Sequence, residues 1–86
     1  MTSSGFLRRL ETGRPVNCPY NRGDLSGMVS AWRYGDVFIL TWEECKAGDV
    51  HNENLYTRDE RHTFPTPTDV LDFVTSSGLS ASDFRP

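Results

Sequence analysis

Gly27-Met28-Val29-Ser30-Ala31-Trp32-Arg33-Tyr34-Gly35-Asp36-Val37-Phe38-Ile39-Leu40-Thr41-Trp42 decides the fold. Two runs rich in aromatic and β-branched residues flank Gly35-Asp36, the pattern of a β-hairpin closed by a two-residue turn. With Gly35 and Asp36 in the turn, Tyr34 pairs with Val37, Trp32 with Ile39 and Ser30 with Thr41. Side chains alternate across a strand, so Met28, Trp32, Tyr34, Val37 and Ile39 share one face. Val29, Ala31, Phe38, Leu40 and Trp42 share the other. A half-exposed antiparallel sheet alternates apolar and polar residues. This one is apolar on both faces, so both faces call for cover.

Downstream, Glu43-Glu44-Cys45-Lys46 reads as a strand end whose neighbouring carboxylates point to opposite faces, which argues against a catalytic dyad. Ala47 to Asn54 reads as a polar connection. Leu55-Tyr56-Thr57-Arg58 is expected as a third strand, Asp59-Glu60-Arg61 as a turn and His62-Thr63-Phe64 as a short fourth strand. Thr66-Pro67-Thr68-Asp69 is the clearest helix start, with Thr66 as N-cap and Pro67 in the first helical position. The helix is predicted to run from Pro67 to Ser77, with Val70, Leu71 and Val74 as its apolar stripe, Phe73 at the edge and Gly78 as the stop. Ser80 and Asp83 suggest a last turn that brings Phe84 to the body, and residues 85–86 are expected to form a loose tail.

Upstream, Ser4 to Leu10 reads as a short helix with Ser4 as N-cap, an apolar side of Phe6, Leu7 and Leu10, and Gly13 and Pro15 as its end. Residues 14–26 are rich in Pro, Asn, Gly and Asp and read as one long loop; Arg22-Gly23-Asp24 within it is a good turn sequence. The fold class that follows is α+β: a small three- to four-stranded antiparallel meander, one main C-terminal helix packed on a face, and a short N-terminal helix.

At 86 residues, one domain spanning 1–86 is the expectation. Apolar residues make up 36% of the chain and aromatics 12%, enough for one core. No apolar run reaches the roughly 20 residues of a membrane helix, and Met1-Thr2-Ser3-Ser4-Gly5 lacks the features of a signal peptide. A cytoplasmic protein is therefore expected. The net charge of −3 is unevenly spread. Residues 1–34 hold five arginines against two carboxylates, and residues 35–86 hold four basic against ten acidic groups. An acidic chain is a poor candidate for non-specific nucleic-acid binding.

No Gly-x-Ser-x-Gly, glycine-rich phosphate loop or His-Glu-x-x-His is present. Cys18, Cys45, His51 and His62 lack the close pairing of a recognisable zinc site. The two cysteines are compatible with a pair, ligands or free thiols, and free thiols fit a cytoplasmic chain best. No cofactor or metal is implied.

The expected function is therefore a non-catalytic protein-binding module, of the kind found among inhibitors, antitoxins, immunity proteins and accessory subunits. It would use Met28, Trp32, Arg33, Tyr34 and Ile39, with Arg22 and Asp24 on the loop. Its partner would be another protein, a second copy of the chain included, with neither nucleic acid nor membrane as target. One alternative is nucleic-acid contact through Arg8, Arg9, Arg14, Arg22 and Arg33 with Trp32 and Tyr34 as stacking platforms. Another is a thiol- or metal-dependent enzyme at Cys45, His51 and His62.

Overall fold

The hairpin lies at the centre of a four-stranded antiparallel sheet of order β1-β2-β3-β4, with strands Val16–Arg22, Leu25–Tyr34, Val37–Lys46 and Arg58–Phe64. The computed structural model describes residues 1–46 and 56–86. Helix α1 is Ser3–Glu11 and helix α2 is Pro67–Ser76, with a 3-10 turn at Ala81–Asp83. The architecture is α+β, a meander carrying an N-terminal and a C-terminal helix. Among the described residues, no helix is long and apolar enough to cross a membrane.

The β2–β3 register is the one the sequence predicts, with Tyr34 opposite Val37, Trp32 opposite Ile39 and Ser30 opposite Thr41. Gly35 takes a φ of 64°, as a tight turn with glycine in its first central position requires. The same Gly-Asp pair closes β1 onto β2, where Gly23 has a φ of 61°.

Two segments depart from expectation. Residues 14–26 are not one long loop, because they contain β1. Val16, Cys18 and Tyr20 alternate with Asn17, Pro19 and Asn21, a period of two masked by turn-forming residues. Pro19 is tolerated because β1 is an edge strand. Nor do residues 59–61 turn: Arg58–Phe64 is one strand, its charged residues compatible with the opposite edge. The expected third strand at 55–58 therefore reduces to Arg58, the first residue of β4; Leu55 and the connection 47–54 lie outside the described residues.

Both helices end alike. In α2, the Gly78 N–H donates to the Thr75 carbonyl at 3.2 Å and the Leu79 N–H to the Val74 carbonyl at 2.9 Å. In α1, Gly13 donates to Leu10 at 3.1 Å and Arg14 to Arg9 at 2.8 Å. Each pair is a Schellman closure, with glycine supplying the positive φ. Thr66 caps α2 by accepting from the Asp69 N–H at 3.1 Å. The α1 cap is Thr2 rather than Ser4, accepting from the Gly5 N–H at 3.0 Å, so the helix begins at Ser3.

The core lies between the helices and one sheet face. Phe6 and Leu10 of α1, Val70 and Val74 of α2, Leu79 and Phe84 pack with Val16, Val29, Ala31, Phe38, Leu40 and Trp42. Phe6 meets Phe84 edge to face, centroids 5.1 Å apart. The tail is not loose at Arg85, whose N–H and carbonyl pair with the carbonyl and N–H of Asn17 at 2.7 and 2.8 Å. The pairing covers part of the outer edge of β1.

The N-terminal helix does not cover the Trp32 face; it joins α2 on the opposite one. Widths explain this. Four strands about 4.8 Å apart make a sheet nearly 20 Å across, and a helix with its side chains is about 10 Å wide. Two helices are needed to roof one face, which among the described residues leaves no helix for the second.

Candidate functional site

The face that no helix covers among the described residues is built by the even-numbered residues of β2 and the odd-numbered residues of β3. Tyr34, Val37, Trp32 and Ile39 gather at the Gly35-Asp36 end; Ser30 and Thr41 follow; then Met28 pairs with Glu43, which on its other side lies opposite Asp59. Tyr34 is 70% exposed and Met28 40%. Trp32 is half-buried. Ile39 is only 6% exposed, with Trp32 on one side of it in the sheet and Thr63 on the other. It is the floor of the patch and offers little contact surface.

The other predicted contact residues lie elsewhere. Arg33 points to the helix face. Its Nη1 donates to the Glu11 carbonyl at 2.7 Å and its Nε to the Gly35 carbonyl at 2.8 Å, with the guanidinium over Phe38. It therefore satisfies a carbonyl at the C-terminus of α1, where cations are favoured. Strand alternation separates Arg33 from Trp32. Arg22 and Asp24 sit at the opposite end of the sheet from Tyr34, about 30 Å away along β2 at about 3.3 Å per residue. The arginines and aromatics proposed for nucleic-acid contact are likewise divided, since α1 with Arg8 and Arg9 packs across the sheet from Trp32 and Tyr34.

A polar network missed by sequence reasoning lies at the far end of the helix face. Tyr20 crosses over Gly27, its strand partner. The Tyr20 hydroxyl accepts from Trp42 Nε1 at 3.0 Å and donates to Glu44 Oε1 at 2.6 Å. Thr57 Oγ1 donates to Glu44 Oε2 at 3.0 Å. Arg58 stacks on the Trp42 ring 3.5 Å from its centroid and pairs with Glu60, which also holds His62 Nε2 at 2.9 Å. His62 in turn packs on Phe73 of α2. Only with β1 recognised as a strand does Tyr20 come to this place.

The electrostatics are those of a clasp. Burial, then the Glu44 carboxylate, pushes the Tyr20 hydroxyl above its ordinary value. The Tyr20 hydrogen bond holds Glu44 below the carboxylate range. Both shifts lead away from neutrality, so at pH 7 the pair is a fixed donor and a fixed carboxylate. The hydrogen bond from Arg58, then that from His62, lowers Glu60.

Cys18 and Cys45 are free and buried on opposite sheet faces. Burial raises the Cys18 thiol, the reverse of nucleophile activation. Cys45 is on one sheet face and His62 on the other, so the alternative reading of a thiol site at Cys45 gains no partner in His62. His51 lies outside the described residues. Among the described residues, no group of three His, Cys, Asp or Glu is placed to hold a metal. No protein-family model, curated protein or solved structure matches the chain.

Proposed function

We propose that the chain is a small non-catalytic binding protein that occupies a surface of another protein with its open sheet face. One observation carries this reading: both helices pack on the same face, while the opposite face of the central hairpin presents Tyr34, Trp32 and Met28. Aromatic residues and Met are the side chains enriched at protein contacts, and contiguous exposed apolar surface marks interaction sites. Each such side chain, fully buried, is worth about 1.5–3 kcal/mol before the costs of association. The cytoplasm suits such a module, because two unpaired thiols persist in a reducing compartment.

A photo-reactive benzophenone amino acid at Tyr34, used in the cells that make the protein, tests the reading. A discrete adduct is expected, absent when the same probe replaces Asp72 on the exposed side of α2 and lost with Trp32→Ala. An adduct of twice the chain mass would identify a second copy as the partner. No adduct, or equal adducts at both positions, would overturn the reading.

A further inference from the structure

A second surface, on the other side of the molecule, is built from α1 and the chain that follows it. Gly5, Arg8 and Thr12 are spaced three and four residues apart and so share one side of the helix. With Arg14 and Pro86 they line a groove of about 450 Å³, to which Arg9 and Met1 contribute walls. Gly5 has no side chain, so helix backbone is exposed as part of the groove floor. The Schellman closure at Gly13 reverses the chain and returns Arg14 to the last turn, its N–H on the Arg9 carbonyl at 2.8 Å. Arg9 is steadied by its Nε, which donates to the Pro15 carbonyl at 3.0 Å.

Three guanidinium groups thus surround one groove; no Asp or Glu side chain lines it, and the α-carboxylate of Pro86, a lining residue, forms no ion pair with them among the described residues. None of the three forms an ion pair among the described residues. Arg8 and Arg9 in the last turn complement the helix dipole. Arg14, beyond the helix end, is brought back into the same charge, an arrangement that an anionic occupant stabilises.

We propose that this groove binds an extended acidic segment of a partner protein, with its carboxylates forked onto Arg8, Arg9 and Arg14. A single phosphate finds no backbone cradle at the Gly5 floor, where the Gly5 N–H is already held by Thr2 Oγ1 at 3.0 Å. A nucleic-acid strand finds no stacking platform, because no aromatic side chain lines the groove and Trp32 and Tyr34 lie across the sheet. Arginine stems offer apolar surface alongside the charge, which suits a peptide. The inference is independent of the open-face reading and uses none of its residues.

Nuclear magnetic resonance of 15N-labelled protein, titrated with a short oligo-glutamate peptide at low salt, tests it. The peptide should shift the Nε–H signals of Arg8, Arg9 and Arg14 and the Gly5 amide, and leave Arg22 and Arg61 in place. Arg8→Gln with Arg14→Gln should weaken binding about tenfold, and rising salt should weaken it for the unaltered chain. Both side chains are exposed, so the fold should persist; Arg8→Lys with Arg14→Lys, which keeps the charge, should bind better than the Gln pair. Absent shifts, or equal shifts at Arg22 and Arg61, would overturn the proposal. So would tighter binding of a thymidine oligonucleotide of equal charge, or the same shifts from inorganic phosphate alone.

Discussion

Gly27→Ala should cost this protein more stability than its position in a strand suggests. A Cβ at residue 27 would lie 2.2 Å from Tyr20 Cζ, 2.4 Å from its Oη and 2.5 Å from its Cε1. Carbon atoms in contact sit about 3.5–4.0 Å apart, so the ring must retreat by more than about 1 Å. The Tyr20 hydroxyl cannot then keep both its 2.6 Å bond to Glu44 and its 3.0 Å bond from Trp42. A hydrogen bond to a charged group contributes about 1.5–3 kcal/mol and a neutral one about 0.5–1.5. Against this, alanine gains about 0.5–1 kcal/mol over glycine in backbone entropy. The net loss should be about 2–3 kcal/mol, or roughly 10 °C or more in Tm for a domain of this size. Urea unfolding followed by tryptophan fluorescence measures it, and a double-mutant cycle isolates its cause. In a Tyr20→Ala background the ring is gone, so Gly27→Ala should be neutral or stabilising. Equal effects of Gly27→Ala in the two backgrounds would refute the reasoning.

Acid should loosen the same end of the sheet. Glu44 is held low chiefly by Tyr20, and Glu60 chiefly by Arg58. A carboxylate whose folded pKa lies below its unfolded value, near 4.3 for Glu, contributes stability above that value and loses it as pH falls through the folded one. The urea midpoint should therefore drop between about pH 5 and pH 3, more steeply than in a Glu44→Gln, Glu60→Gln variant; parallel profiles would exclude these two carboxylates as a cause. Thr66→Ala removes the α2 cap on the Asp69 N–H and should cost about 1 kcal/mol in the same urea assay, whereas Thr66→Ser should retain most of that stability.

What could be read from the sequence was local. Gly35-Asp36 between two β-rich runs set the hairpin and its register. Thr66, Pro67, Asp69 and Gly78 set both ends of α2, and the alternation in β3 divided its apolar residues between two faces without saying which one a helix would cover. Strand β1 was hidden, and β4 was split at residues 59–61, because each is an edge. Pro19 in β1 and Arg58, Asp59, Glu60 and Arg61 in β4 look like loop residues until a sheet is known to hold them on one side only. The clasp was lost with β1, since Tyr20 reaches Trp42 and Glu44 only by crossing Gly27. Helical spacing identified Phe6 and Leu10 as a stripe, but a stripe does not say which face it meets. Gly13 was readable as a stop; that it returns Arg14 to the groove was not.

The two proposed surfaces constrain each other. The open face is graded, with Trp32, Tyr34 and Val37 at the Gly35-Asp36 end and Glu43 opposite Asp59 toward the other. A partner centred on Trp32 and Tyr34 therefore sits at that end, and one that also reaches Met28 meets Glu43 beside it. The arginine groove is lined by α1, Arg14 and Pro86, and α1 packs on the sheet face opposite Tyr34. A compact partner that lies flat on Tyr34 cannot also fill the groove; it would need an arm around the edge of the sheet. Edge β1 is partly covered by Arg85, and the outer edge of β4 carries Arg58, Asp59, Glu60 and Arg61. Two separate partners, or one with a long acidic extension, fit this geometry. Arg8→Gln with Arg14→Gln should accordingly leave the benzophenone adduct at position 34 intact. Loss of that adduct would mean that one partner spans both surfaces.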